Sequence, residues 1–184
     1  MQLIRSSSNA LPGTARSRRR EARAKRELQC AKGLAGYRTV ESELNQPYFL
    51  GLLADANGKV GRAEDGLALV AEAIAIVDRN QESAWEAELY RLKGELTLQS
   101  SGHRRSAKFD EAEEGCFRRA MAVAGRRRAK SWQLRAAISL AHLQRRRGER
   151  GDATQRITEI HDWFTAGFDT KDLREAKALL EELC

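Results

Sequence analysis

The segment Gly51-Leu52-Leu53-Ala54-Asp55-Ala56-Asn57-Gly58-Lys59-Val60 contains the residue types of a phosphate-binding loop but not their spacing. Such a loop sets four residues between its glycines and a Ser or Thr after the lysine, whose hydroxyl reaches the magnesium ion; here six residues separate Gly51 from Gly58, and Val60 follows Lys59. The segment also keeps helical periodicity up to Gly58, so nucleotide binding is not expected there. His103, His142 and His161 are the three histidines, and none stands at the i, i+4 spacing that would aim two imidazoles at one metal from a helix face. Asp110, Glu111, Glu113 and Glu114 could supply paired carboxylates for acid and base chemistry, yet they fall near a helix start, where the macrodipole favours negative charge, and helix stabilisation is the expected role. Cys30, Cys116 and Cys184 are odd in number, far apart and free of any CxxC spacing, which fits neither a disulfide framework nor a zinc site. The residues thus predict no enzyme, no metal and no cofactor, and a reducing cytoplasm as the compartment.

The elements that carry these residues follow from composition. With 41% hydrophobic and 32% charged residues, the chain of 184 can bury a core but must spread many charges over its surface, which suits helices with one apolar face each. Its two prolines, Pro12 and Pro47, interrupt none of the long periodic segments, and those segments lack the alternating β-branched runs of strands. An all-α chain is predicted. No stretch approaches the roughly 18 apolar residues of a membrane span, and the N-terminus has no apolar signal region, so a soluble chain with no membrane association is expected.

The formal net charge of +7 is unevenly placed. Residues 1 to 32 hold nine Lys/Arg against two Asp/Glu, and the remaining 24 of each sign balance over residues 33 to 184. The leader 1–20, with Ser6-Ser7-Ser8, Pro12-Gly13 and Arg18-Arg19-Arg20, cannot bury enough surface to offset its ordering entropy and is expected to be disordered. A solvated tail is the simplest reading of it; its charge also suits nucleic acid or anionic lipid, and its Arg/Ser content a targeting peptide.

From Glu21 a helix is predicted to about residue 44, with Leu28, Ala31, Leu34, Ala35 and Tyr37 on one stripe. Asn45 is placed to cap a new helix that has Pro47 in its first turn. A repeating unit then emerges when small residues are aligned. Ala54 is followed by Gly61, Gly66, Val70 and Ala73, and Ala141 by Gly148, Ala153, Ile157 and Ile160 at the same offsets of 7, 12, 16 and 19. The template is that of an antiparallel helix pair: a small residue on each helix permits close approach, glycine ends the first helix, and larger residues fill the gap to the next pair. Between these units Trp85, Leu89, Leu92 and Leu96 mark a helix with Gly94 as its small contact residue, and Ala112, Cys116, Phe117, Ala120 and Ala124 mark its partner, across an enlarged loop from Ser100 to Lys108. Gly167 is expected to end the third pair, before a capping helix bearing Leu173, Ala176, Leu179, Leu180 and Leu183. The fold predicted is therefore a stack of tetratricopeptide-like antiparallel helix pairs in a short right-handed superhelix over 21–184, with an orphan helix at about 21–44, pairs at about 46–79, 84–125 and 130–166, and a cap at about 170–183.

The runs Gln46-Pro47-Tyr48-Phe49-Leu50-Gly51-Leu52-Leu53-Ala54-Asp55-Ala56-Asn57-Gly58-Lys59-Val60-Gly61, Trp85-Glu86-Ala87-Glu88-Leu89-Tyr90-Arg91-Leu92-Lys93-Gly94-Glu95-Leu96 and Trp163-Phe164-Thr165-Ala166-Gly167-Phe168-Asp169-Thr170 closely resemble one family. It is the C-terminal tetratricopeptide region of large bacterial proteins that join a class III adenylate/guanylate cyclase domain to a predicted signalling ATPase, and the resemblance spans roughly residues 29 to 183. It implies a sensor or scaffold region of a bacterial signalling system; the metal-binding carboxylates of the cyclase and the phosphate-binding loop of the ATPase have no counterpart in this sequence. The orphan helix resembles the second half of a pair whose first half is missing, so the chain is expected to be the tail of something larger.

Projected onto the template, the first helix of each pair faces a groove and carries Tyr48, Asp55, Lys59, Glu88, Arg91, Glu95, Arg135, His142 and Arg145, a mixed-charge lining suited to a peptide or a partner domain. The clusters Arg126-Arg127-Arg128 with Lys130, and Arg145-Arg146-Arg147 with Arg150, fall at helix ends, where cations are ordinarily solvated and favourable. The aromatics Tyr48, Phe49, Trp85, Tyr90, Phe117, Trp132, Trp163, Phe164 and Phe168 keep helical spacing with apolar neighbours and do not alternate with the basic residues, so core packing is expected of them rather than base stacking. A non-catalytic interaction module is the leading expectation. A nucleic-acid binder using the basic leader and the arginine clusters is the alternative, and self-association through an exposed apolar end is a third reading.

Overall fold

The computed structural model describes residues 45–80, 84–101, 107–149 and 152–183. The leader, the helix expected at 21–44, Cys30, His103, Arg150 and Cys184 lie outside them. Among the described residues the chain is all-α, with seven helices and no strand: α1 (Gln46–Lys59), α2 (Ala63–Asn80), α3 (Glu86–Ser101), α4 (Ala107–Arg126), α5 (Lys130–Arg147), α6 (Ala153–His161) and α7 (Lys171–Leu183). None of these helices is long and apolar enough to cross a membrane.

Local chemistry sets the boundaries. Pro47 sits in the first turn of α1, where its missing N–H costs nothing. Asn45 precedes it with φ 64°, a left-handed conformation that asparagine tolerates, but its side chain makes no capping hydrogen bond. Gly61, with φ 81°, turns the chain between α1 and α2. Gly148, with φ 74°, ends α5, its N–H donating back to the carbonyl of Arg145. Gly167 was expected to end α6, but that helix stops at His161; Gly167 lies in the following loop with φ 79°, its carbonyl accepting from the N–H of Thr170 just before α7. The connection expected from Ser100 to Lys108 is also shorter, because α3 continues through Ser101 and α4 begins at Ala107. The polar end of α3 stays helical by bonding to itself: Thr97 Oγ1 donates to the carbonyl of Lys93 at 2.7 Å, and Ser101 Oγ to that of Leu98 at 3.1 Å.

Consecutive helices pack as neighbours, and the odd-numbered ones, α1, α3, α5 and α7, also touch in series. The small residues lie where α1 and α2, and then α5 and α6, come closest. Ala54 is fully buried, and a Cβ on Gly66 would stand 3.0 Å from its carbonyl oxygen; Ala141 and Ala153 are buried at the equivalent places. In the middle pair a Cβ on Gly94 would lie 2.6 Å from Cε1 of Phe117, so the ring rests directly on the backbone of α3. The buried stripe of α4 is Glu113, Phe117, Ala120 and Ala124, with Ala112 exposed. Glu113 therefore occupies the position that Gly66 and Ala153 hold in the other pairs, because the buried residues recur at steps of four and three and Ala112 is one residue out of phase. Instead of acting only at the helix start, Glu113 is 1% exposed and accepts from Ser101 Oγ at 3.1 Å, joining α4 to the end of α3.

The core divides into two principal clusters. One, built on Leu50, Val70, Leu89, Leu92 and Leu96, joins α1, α2 and α3. The other, built on Phe117, Leu134, Leu140, Ile157 and Leu173, joins α4 to α7. Phe117 links the two through its seat on Gly94.

The glycines of this pair should respond in opposite directions. Gly94→Ala forces its methyl into a fully buried ring and is expected to destabilise by about 1–3 kcal/mol, whereas Gly115→Ala, whose Cβ meets nothing within 4 Å on an exposed face of α4, should stabilise by roughly 0.5–1 kcal/mol. Urea unfolding followed by helical circular dichroism distinguishes the two; equal and small effects would contradict the close approach of α3 and α4.

Candidate functional site

Because α1, α3, α5 and α7 touch in series, their outward-facing residues meet along one channel. It is a groove of about 960 Å³ with walls from all four helices. Tyr48, Asp55 and Lys59 enter it from α1, Glu88, Arg91 and Glu95 from α3, and Arg135 and His142 from α5. Arg145 is not among the lining residues, and its exposed guanidinium pairs with Glu182 of α7. On α5 the polar lining residues from Arg135 onward are Arg135, Ser139, His142 and Arg146, in steps of four, three and four that follow the helical pitch. Arg145 is one residue, or about 100°, off that line. The same count, applied to the sequence, would have selected Arg146. Asp172 and Glu175 of α7 also line the groove, so the capping helix supplies part of its wall.

The lining carries five carboxylates (Asp55, Glu88, Glu95, Asp172 and Glu175) and five Lys/Arg side chains (Lys59, Arg91, Arg135, Arg146 and Lys171), so its charge balances. Most of these groups are joined to one another. At the centre the guanidinium of Arg91, with a side chain only 14% exposed, donates to both oxygens of Glu88 at 2.7 and 2.9 Å and also to Glu95. Burial alone would lower the pKa of Arg91, but its hydrogen bonds to Glu88 and the charges of Glu88, Glu95 and Asp55 outweigh it, so the net shift is upward and the charge is fixed. Glu95 also accepts from Ser139 Oγ on α5 at 3.0 Å. Arg135 stands 3.8 Å from Glu88 and donates to Asp172 at 2.6 Å, and His142 Nε2 lies 3.4 Å from Glu175. Lys59 pairs with Asp55 within α1. A polar ribbon thus crosses from α3 to α5 to α7 over the apolar floor. At one end of the groove Tyr48, Trp85 and Trp132 form an aromatic row, with ring centroids 4.4 and 5.3 Å apart. Such a lining can bind charged and amide groups by exchanging internal hydrogen bonds for external ones, and can hold flat apolar groups against the rings.

The other residues with chemical potential are engaged structurally. Gly51 through Lys59 are continuous helix and present no loop backbone to a phosphate. Burial pushes the half-buried Cys116 thiol up, against a smaller opposing effect of Lys93, and so holds it protonated. His161 lies 3.6 Å from Asp162 and packs on Phe168 at 5.7 Å. Among the described residues no group of three or more His, Cys, Asp or Glu could hold a metal ion. Away from the groove, Glu114 accepts from Arg118 at 2.9 Å and from Arg147 at 2.7 Å, and Asp152 accepts from Arg156 at 2.8 Å and lies 3.5 Å from Arg118. Arg147, expected as a solvated helix-end charge, is in fact 13% exposed and ties the end of α5 to α4.

No protein-family model matches the chain, and no curated protein is significantly similar to it.

Two measurements check this electrostatic description. Arg91→Met leaves Glu88 and Glu95 without their shared counter-ion and, since both carboxylates keep some solvent, should cost about 1–3 kcal/mol; combining it with Glu88→Gln should recover part of that loss in urea unfolding, and a fully additive double variant would show that the pair is not coupled. Desolvation would raise the pKa of Glu114, but the hydrogen bonds and charges of Arg118 and Arg147 lower it overall, and the hydrogen bond from Arg156 foremost lowers that of Asp152. Carboxylates with depressed pKa contribute stability that is complete above the ordinary carboxylate range and declines as the pH falls through it. The Tm should therefore drop between about pH 5 and pH 2, and Glu114→Gln should show a smaller drop than the unaltered chain; equal drops would rule out a contribution from Glu114.

Proposed function

We propose that this chain is a non-catalytic, tetratricopeptide-like scaffold that holds an extended peptide or a partner domain in the groove of α1, α3, α5 and α7. The observation that carries the reading is the serial contact of the odd-numbered helices, which gathers side chains from four helices into one continuous channel. Contacts among the odd helices, where the even ones touch only their chain neighbours, favour curvature toward the groove, the arrangement expected of a tetratricopeptide superhelix. The equivalent small residues Ala54 and Gly66, and Ala141 and Ala153, support the same assignment. The resemblance of the Gln46, Trp85 and Trp163 runs to the repeat region of cyclase-linked bacterial ATPases extends the proposal to a signalling scaffold. Mixed and balanced charge suits a partner that itself carries both signs, such as a peptide with alternating acidic and basic residues.

Peptides selected from a displayed random library against the full chain provide the test. Arg135→Glu and Tyr48→Ala should each weaken the selected peptides about tenfold or more, while Lys177→Glu, on the exposed side of α7, should leave them unchanged. Peptides whose affinity ignores both groove substitutions would refute the groove, and turnover of ATP or synthesis of a cyclic nucleotide by the purified chain would refute the non-catalytic part.

A further inference from the structure

Three large hydrophobic residues are exposed among those described, and two of them, Trp163 at 60% and Phe168 at 49%, lie in the loop between α6 and α7. Trp163 stands edge to face with Phe164 at 5.3 Å. Together with Trp132, these two residues wall a depression of about 380 Å³ that Arg128, Lys130 and Ser131 complete. No carboxylate is among its lining residues.

The cations beside this depression are not among those that the helix packing pairs with carboxylates. Arg91, Arg118, Arg119, Arg135, Arg145, Arg147 and Arg156 each pair with a carboxylate. Arg126, Arg127 and Arg128, at the end of α4 and in the turn leading to the depression, are exposed and make no ion pair among the described residues. Lys130 reaches only the amide oxygen of Gln133, at 3.3 Å. Along the chain the aromatic and basic residues do not alternate, but folding brings Trp163 and Phe164 beside Arg128 and Lys130, 33 to 36 residues earlier. Uncommitted positive charge and an uncovered indole then share one surface.

We propose that this surface binds single-stranded nucleic acid, with a base stacked on Trp163 and the adjoining phosphates on Arg126, Arg127, Arg128 and Lys130. A single strand offers a flat ring and a negative charge in each unit, the combination the patch presents in complement. An acidic polypeptide would satisfy the arginines but bring no ring for the indole. A bilayer surface would need a broad outward apolar face, whereas the exposed large apolar side chains of this loop are Trp163 and Phe168 alone and the apolar face of α7 is turned inward through Leu173, Ala176 and Leu179. The proposal stands independently of the groove, since the patch and the groove are distinct in most of their residues.

The test uses the full chain and a fluorescein-labelled oligothymidylate, with anisotropy measured over a range of salt and tryptophan quenching as a second readout. The strand should bind and quench. Trp163→Ala should weaken binding about tenfold at unchanged salt slope. Arg126→Gln, Arg127→Gln and Arg128→Gln together should lower the magnitude of that slope by about 2, from roughly 0.7 per phosphate contact. All four positions are exposed, so circular dichroism should remain that of the unaltered chain. Failure to bind, or binding that neither variant alters, as when residues 1 to 32 alone attract the strand, would overturn the proposal. So would polyglutamate, or phosphatidylserine vesicles, producing the same Trp163-dependent change with comparable affinity.

Discussion

A Cβ on Gly94 would sit 2.6 Å from the ring of Phe117, so α3 and α4 approach to a distance that only a residue without a side chain permits. That approach lets Phe117 be fully buried, and Phe117 belongs to the cluster that runs on through Leu134 and Ile157 to α7. On the other side of α3, Leu89, Leu92 and Leu96 pack into the cluster of α1 and α2. The third helix is consequently apolar on two faces. Its remaining face must carry Glu88, Arg91 and Glu95, and these line the groove. Close packing and groove chemistry are in this sense one constraint: a helix that serves two cores has a single narrow strip left for polar side chains, and the strips of successive odd helices are brought edge to edge.

Edge-to-edge placement explains the charge pattern. A guanidinium as dehydrated as that of Arg91 would be costly if left alone, and Glu88 and Glu95, one turn to either side, supply the compensating charge from the same helix. The leftover bonding capacity of the two carboxylates then reaches outward, Glu95 to Ser139 and Glu88 toward Arg135, which itself continues to Asp172. Each bridge spans two odd helices. The ribbon thereby fixes the register of α3, α5 and α7 while presenting both signs to the channel, so a partner would meet a surface already ordered and would lose little side-chain entropy in the receptor on docking.

The small-residue template was legible in the sequence because it rests on sterics alone. Ala54 with Gly66 and Ala141 with Ala153 depend on the absence of atoms, and an absence is visible in residue identity. Glu113 hid the middle pair for the opposite reason: a carboxylate stands at a position that elsewhere holds Gly or Ala, and Ser101 donates to it from across the pair, a contact between residues that no periodicity associates. Ala112 looked like the better core residue by composition and is exposed by phase. In the groove, the lining from α1 and α3 follows from helical pitch, whereas Asp172 and Glu175 depend on how α7 stacks on α5, which sequence spacing does not encode. Arg146 lines the channel and Arg145 does not, since each step along a helix turns the side chain by about 100°.

The arginines divide by what lies opposite them, and this division sharpens what helix-end charge means. Both clusters, 126–128 and 145–147, fall at C-termini where the macrodipole favours them, and from sequence they are equivalent. The end of α5 lies between α4 and α7, so Arg147 finds Glu114 and Arg145 finds Glu182, and the cluster becomes part of the packing. The end of α4 runs into a left-handed turn at Arg128, with φ 56°, that delivers the chain directly into α5. Positive charge at the end of α5 is thus drawn into ion pairs with α4 and α7, whereas at the turn after α4 Arg128 and Lys130 lie beside the exposed indole of Trp163.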